Sequence, residues 1–118
     1  MTTNESALTV GESQRDGICV ISIDGRLDSQ TTTGAQSVFT EAAKTHPRIL
    51  LDCAGTTFLS SSGLRAIVMT HRSACDNGGR IAVHVPSPEI MKTIHISGIQ
   101  KMVAIHSNMA DAIAALKA

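Results

Sequence analysis

Short runs of β-branched and aliphatic residues, separated by stretches with helical periodicity, constrain the fold of this chain more than any other feature. The runs are Ile18-Cys-Val-Ile-Ser-Ile23, Arg48-Ile-Leu-Leu-Asp52, Ile81-Ala-Val-His-Val85 and Lys101-Met-Val-Ala-Ile105. Each is four to six residues long and rich in Ile, Val and Leu, the signature of a strand. Between the first two, apolar residues recur at Ala35, Val38, Phe39, Ala42 and Ala43, the stripe of an amphipathic helix that Pro47 stops. Leu64, Ile67 and Val68 open a second helix that Asn77-Gly78-Gly79 ends. Ser87-Pro88-Glu89 caps and starts a third, with core residues Ile90, Met91 and Ile94, and Ser97-Gly98 closes it. Asn108 and Asp111 cap a last helix carrying Met109, Ala112, Ile113 and Leu116.

Upstream of Ile18, a weak alternation from Ala7 to Glu12 reads as an edge strand, joined to the next by a hairpin at Asp16-Gly17. Strands that alternate with helices imply right-handed parallel crossovers, with the helices laid on the sheet. The expected fold is α/β, a mixed sheet of about five strands with about four helices packed on it, in the order β-β-α-β-α-β-α-β-α. Without a repeat, linker or low-complexity tract, residues 1–118 read as one domain, with residues 1–6 expected to be disordered.

Composition narrows the function. Two Phe and no Trp or Tyr leave the core to aliphatic residues and remove the usual stacking platforms for single-stranded nucleic acid. Ten basic and ten acidic residues cancel, and no run of five like charges occurs, which argues against binding to a nucleic-acid backbone. No apolar stretch nears the roughly 20 residues of a membrane span, and the first residues do not form a secretory signal. No membrane insertion and a cytoplasmic location are expected. Cys19, Cys53 and Cys75, odd in number and set in apolar segments, read as small buried hydrophobes.

Chemistry concentrates in Leu50-Leu-Asp-Cys-Ala-Gly-Thr-Thr-Phe-Leu-Ser-Ser-Ser-Gly-Leu64, which runs from strand through turn to helix start. One of Ser60, Ser61 and Ser62 is needed to cap the helix. Three hydroxyls exceed that need, and Gly63 allows close approach. Exposed N–H groups and the positive end of the helix dipole would also favour an anion here. A phosphoserine there would bring about −1.5 to −2 charge and three acceptor oxygens. Asp28, after the second strand, either initiates the following helix or contributes its carboxylate to a recognition surface beside the serine turn; the second requires the two loops to be neighbours.

Other chemistries lack parts. His71 and Cys75, four apart, could face the same way on one helix, but no further ligand stands at a familiar zinc spacing, and His84, His95 and His106 fall on three different elements. Ser60-Ser-Ser-Gly63 has only the trailing glycine of a hydrolase nucleophile elbow. Neither a dinucleotide fingerprint nor a phosphate-binding Walker loop occurs. No enzyme activity, metal or cofactor is expected.

Gly25-Arg-Leu-Asp-Ser-Gln-Thr31, the Leu50–Leu64 stretch, Gly78-Gly-Arg-Ile81 and Ile96-Ser-Gly-Ile99 together resemble the STAS domain, and more narrowly the bacterial anti-sigma factor antagonists. The resemblance runs from about Leu8 to the last helix. In that family the helix start usually reads Phe-x-Asp-Ser-Ser-Gly-Leu, and the serine after the aspartate is phosphorylated. Laid on Phe58–Leu64, the pattern implies Ser61 as acceptor, with Ser60 and Ser62 as lesser candidates, and Ser60 standing where the aspartate belongs. Asp28 matches an aspartate that borders the kinase-binding surface in relatives, so the implied partner surface is Asp28, Ser60, Ser61, Ser62 and Gly63. The implied partners are an anti-sigma factor that is a serine kinase of the GHKL type, bound by the unphosphorylated chain and released by phosphorylation, and a serine phosphatase that restores binding. STAS domains also serve as scaffolds of stress-signalling assemblies and as subunits of lipid-transport ATPases, the alternative role for this chain.

Overall fold

A computed structural model describes residues 8–117 of the 118-residue chain. Among these residues six strands, β1 (Thr9–Arg15), β2 (Ile18–Leu27), β3 (Arg48–Asp52), β4 (Thr56–Leu59), β5 (Arg80–His84) and β6 (Ala104–His106), combine with four helices, α1 (Thr32–Thr45), α2 (Ser61–Asp76), α3 (Pro88–Ser97) and α4 (Met109–Lys117), in the order β1-β2-α1-β3-β4-α2-β5-α3-β6-α4. Asp16 and Gly17 both take positive φ, 55° and 79°, as a two-residue hairpin turn requires. They set Arg15 opposite Ile18 and β1 antiparallel to β2. All other pairings are parallel, so the sheet is mixed, in the order β1-β2-β3-β5-β6. Ala7 and residues 1–6 lie outside the described residues.

The side-chain period of two divides the sheet into two faces. Cys19, Ile21, Ile23, Ile49, Leu51, Ile81 and Val83 point into the larger core, which α1, α2 and α3 cover with Phe39, Ala42, Ile67 and Ile94. The alternate residues Ile18, Leu50 and Ala82 meet Ala112, Ile113 and Leu116 of α4. Among the described residues Phe39 is the only aromatic side chain in either core, and aliphatic side chains with the thiols of Cys19 and Cys53 fill the rest.

The arrangement differs from the expected one at three places: the first strand, expected from Ala7 to Glu12, is described over Thr9–Arg15, and the other two differences lie near the ends of strands. Thr56–Leu59, expected to be part of the serine turn, forms β4. Ten-residue β2 outlasts β3: its first half pairs with Ile49–Asp52, and beyond an irregularity at Gly25/Arg26 its second half pairs with β4. Gly25 N–H donates to Gly55 O at 2.9 Å, and the Thr56 hydroxyl donates to Ile23 O at 2.7 Å, which fixes β4 against β2. The last strand was expected at Lys101–Ile105 but spans Ala104–His106. Gly98 ends α3 in the left-handed conformation (φ 84°), and a 3-10 turn over Ile99–Lys101 follows, tucking Ile99 and Val103 into the core. Cys19 and Cys53 are buried as expected; Cys75 is exposed, because it sits on the solvent side of the last turn of α2.

Candidate functional site

The serine turn is built by the parallel pairing of β2 with β4, which sets Leu27 opposite Leu59. The loops that follow these strands therefore leave the sheet side by side, and Asp28 and Ser60 are the first residues of each. Ser60 N–H donates to Leu27 O at 3.0 Å, closing the ladder. The chain then turns: Ser60 is extended (φ −90°, ψ 175°) and is the N-cap of α2.

Ser60 carries the capping role. Its Oγ accepts the Gly63 N–H at 3.3 Å and donates to Leu27 O at 3.2 Å, while its own carbonyl accepts Leu64 N–H at 2.9 Å. An aspartate could accept from Gly63 but, ionised, could not donate to Leu27. The serine thus keeps the cap and adds a link to β2.

Ser61 and Ser62 are left over from capping. Ser61 is exposed, Ser62 is half-buried, and neither hydroxyl has a hydrogen-bond partner among the described residues. No acidic residue occupies the first turn of α2, so nothing on the helix itself offsets the positive end of its dipole. Gly63 is buried. A Cβ there would stand 2.7 Å from Leu27 O and 2.7 Å from Leu59 Cδ1, so the space that glycine leaves is filled by β2 and β4 themselves.

Asp28 initiates α1. Its Oδ1 accepts the N–H groups of Gln30 (3.0 Å) and Thr31 (3.1 Å), and its own N–H donates to Thr31 Oγ1 at 3.0 Å. Its other oxygen meets Arg26 Nε at 3.4 Å. Desolvation works to raise the pKa of this carboxyl, but the backbone N–H groups of Thr31 and Gln30, helped by Arg26 and the Thr31 hydroxyl, outweigh it and hold the group below its usual value. Asp28 therefore starts α1, and the pairing of Leu27 with Leu59 also sets it beside the serine turn, the neighbourhood that a shared recognition surface requires.

Two side chains that the sequence did not single out lie next to these loops. Arg26 lies directly across from Phe58 in the β2–β4 register, with its guanidinium 4.2 Å from the ring centroid. Phe58 is 40% exposed, high for a large apolar side chain, so this cation–π pair forms an open face beside Asp28 and the first turn of α2. Only the alternation of Arg26 and Phe58 in strand register could have signalled it, and that needed β4.

The other sequence candidates lie elsewhere. His71 and Cys75 do face one another on α2, with Sγ 3.8 Å from Nε2. His84 and His106, on separate elements of the sequence, occupy paired positions of β5 and β6, and His84 Nδ1 lies 2.9 Å from Asp52 Oδ1. His95 is apart on α3. Among the described residues, no helix is long and apolar enough to cross a membrane.

The STAS domain family model matches residues 12–112, nearly the whole chain. The anti-sigma F factor antagonist of Paenibacillus polymyxa is 26% identical over 103 residues, covering 86% of this chain and 88% of the relative. Among solved structures, an anti-sigma factor antagonist from Mycobacterium paratuberculosis superposes with a TM-score of 0.87 at 23% identity, over 98% of this chain and 99% of that one. SpoIIAA, a Bacillus cell fate determinant, is similar in its phosphorylated form, with a TM-score of 0.66 at 20% identity over 89% of this chain and 96% of that one. With its sheet order, its β2–β4 extension and a family match over residues 12–112, the chain belongs to the STAS domain family.

Proposed function

We propose that this protein is an anti-sigma factor antagonist whose partner binding is switched by phosphorylation of Ser61. The observation that carries the reading is the division of labour among the three serines. Ser60 is committed to the cap and to Leu27, whereas Ser61 presents an exposed hydroxyl with no internal partner at the first position of α2. The names of its relatives, an anti-sigma F factor antagonist and a cell fate determinant that exists in a phosphorylated form, support the same class of role.

In the proposed cycle the unphosphorylated chain binds an anti-sigma factor that is a serine kinase of the GHKL type. The Ser61 oxygen attacks the γ-phosphorus of the kinase's ATP, ADP leaves, and the hydroxyl proton passes to a base on the kinase. This chain contributes a rigidly held acceptor and a docking face, with Arg26, Asp28 and Phe58 beside it. It needs no cofactor of its own. The product phosphate carries about −1.5 to −2 charge, and in a partly desolvated interface it would face the negative charge of the bound nucleotide, which opposes rebinding. A serine phosphatase resets the switch.

The test is incubation of the chain with a candidate GHKL-type kinase and ATP, followed by phosphosite mapping and binding assays. Phosphate is expected on Ser61, and Ser61→Ala is expected to retain kinase binding while Ser61→Asp weakens it at least about tenfold, the effect of like charge at an interface. Phosphate on none of Ser60, Ser61 and Ser62, or equal binding by the two variants, would overturn the reading.

A further inference from the structure

A second cluster of chemically active side chains lies away from the serine turn, where the β1–β2 hairpin meets the end of α1. In the antiparallel register Gln14 stands opposite Cys19 and Glu12 opposite Ile21, so Glu12 and Cys19 are diagonal neighbours on the face that α1 covers. His46 is the C-cap of α1 and comes down over the same face. One ligand atom from each of Glu12, Cys19 and His46 lies within 4.8 Å of the other two.

Three observations favour a metal ion over a chance meeting. The donor set is the first. Thiolate, imidazole and carboxylate together suit zinc, which in open sites takes three protein ligands and one exchangeable position. The second is the orientation of the imidazole. His46 Nδ1 lies 3.0 Å from Thr45 Oγ1 and 3.4 Å from Ala42 O, while Nε2 lies 3.4 Å from the Gln14 side-chain amide on the sheet. A proton on Nδ1 held by a helix carbonyl leaves the Nε2 lone pair facing the sheet, where it accepts the Gln14 amide N–H that an ion would displace; the outer hydrogen bond on Nδ1 is the arrangement common among metal-bound histidines. The third is access. Glu12 is exposed and lines a groove of ≈ 440 Å³ with Glu41 and Thr45, so an ion can reach its carboxylate from solvent.

We propose that Glu12, Cys19 and His46 bind a divalent cation of the zinc class, with the fourth coordination position turned to the groove beside α1. Tetrahedral bonds of about 2.0–2.3 Å require the three donors to close in by roughly 1 Å, which the exposed Glu12 side chain and the terminal His46 can supply. On binding, the Cys19 S–H bond breaks, the sulfur–metal bond forms, and the proton leaves through the adjacent Glu12 carboxylate to water, while the ion sheds hydration waters. Such a site would tie the edge hairpin to the end of α1.

The test uses the reduced full-length protein and Co²⁺, which reports a thiolate ligand through a sulfur-to-cobalt charge-transfer band, with Zn²⁺ as competitor. One equivalent of Co²⁺ is expected to give the band, and Zn²⁺ to abolish it. The band is expected to survive the paired change His71→Ala with Cys75→Ser, which removes the other thiol–imidazole neighbours. It is expected to vanish in Cys19→Ala and to need at least about tenfold more metal in Glu12→Gln and in His46→Gln. Because Cys19→Ala alters the core, the two surface variants decide the outcome if that protein does not fold. No band with the unaltered protein, loss of the band in the His71/Cys75 variant, or unchanged affinity in both Glu12→Gln and His46→Gln would overturn the proposal.

Discussion

Ser60 and Gly63 divide the work of shaping the serine turn, and each makes a distinct prediction. Ser60→Ala removes both the bond accepted from Gly63 N–H and the bond donated to Leu27 O. Loss of an N-cap costs about 1 kcal/mol, so chemical denaturation should show a lower midpoint with an unchanged slope. Gly63→Ala should cost more. Its new methyl meets a backbone carbonyl, Leu27 O, that belongs to a paired strand and cannot swing aside, and overpacking of this kind costs about 1–3 kcal/mol. A Gly63→Ala protein as stable as the unaltered one in the same denaturation experiment would mean that β2 and α2 are less tightly held than their contacts indicate. The need for a cap among the three serines was legible in the residues themselves. Which serine caps was not, because the choice depends on Leu27 O, 33 positions away in sequence.

At the scale of the element, β4 decides where the site stands. Thr56-Thr-Phe-Leu59 has the β-branched and aromatic residues of a strand, yet its four residues follow Ala54-Gly55 and are too few for alternation to stand out from a turn. What makes them a strand is the unpaired second half of β2, a fact of tertiary length that no local pattern contains. The same holds for β6, where a left-handed Gly98 and a 3-10 turn consume residues that look like strand. The other strands and all four helices were legible because each is long enough to show its period or carries explicit caps, as Ser87-Pro88 and Asn108 do. The anchoring of β4 rests partly on the buried hydroxyl of Thr56, 2.7 Å from Ile23 O. Thr56→Val keeps the shape and removes the donor, at a cost of about 1 kcal/mol. Hydrogen exchange in that variant should quicken for amides of residues 56–60 while those in the middle of α2 keep their protection. Uniform acceleration across the molecule would show instead that β4 opens only with global unfolding.

For the whole molecule, the larger core contains two thiols whose ionisation is linked to folding. Burial, reinforced by the charge and hydrogen bonding of Glu12, pushes the Cys19 thiol up to about 11. Burial likewise raises Cys53 to about 11, against the lowering effect of its hydrogen bond with Thr56, with the charge of Asp52 adding a smaller upward push. An unfolded thiol ionises near 9.0, so below that pH both states hold the proton and the contribution of each group is fully present. As pH rises from 9 towards 11 the unfolded chain releases protons that the folded chain retains, and stability falls. For the fully buried Cys53 the loss is on the order of 2–3 kcal/mol. The exposed Cys75 should react with a thiol reagent in the native protein, while the buried Cys19 and Cys53 react only through opening. With no Trp or Tyr in the chain, the measurement is far-ultraviolet circular dichroism of the metal-free protein in denaturant, stepped from pH 8 to pH 11. The informative comparison is with Cys53→Ala, whose stability should begin lower, through the small cavity it leaves, and then decline less steeply with pH. Parallel slopes for the two proteins would place the alkaline loss outside the Cys53 thiol.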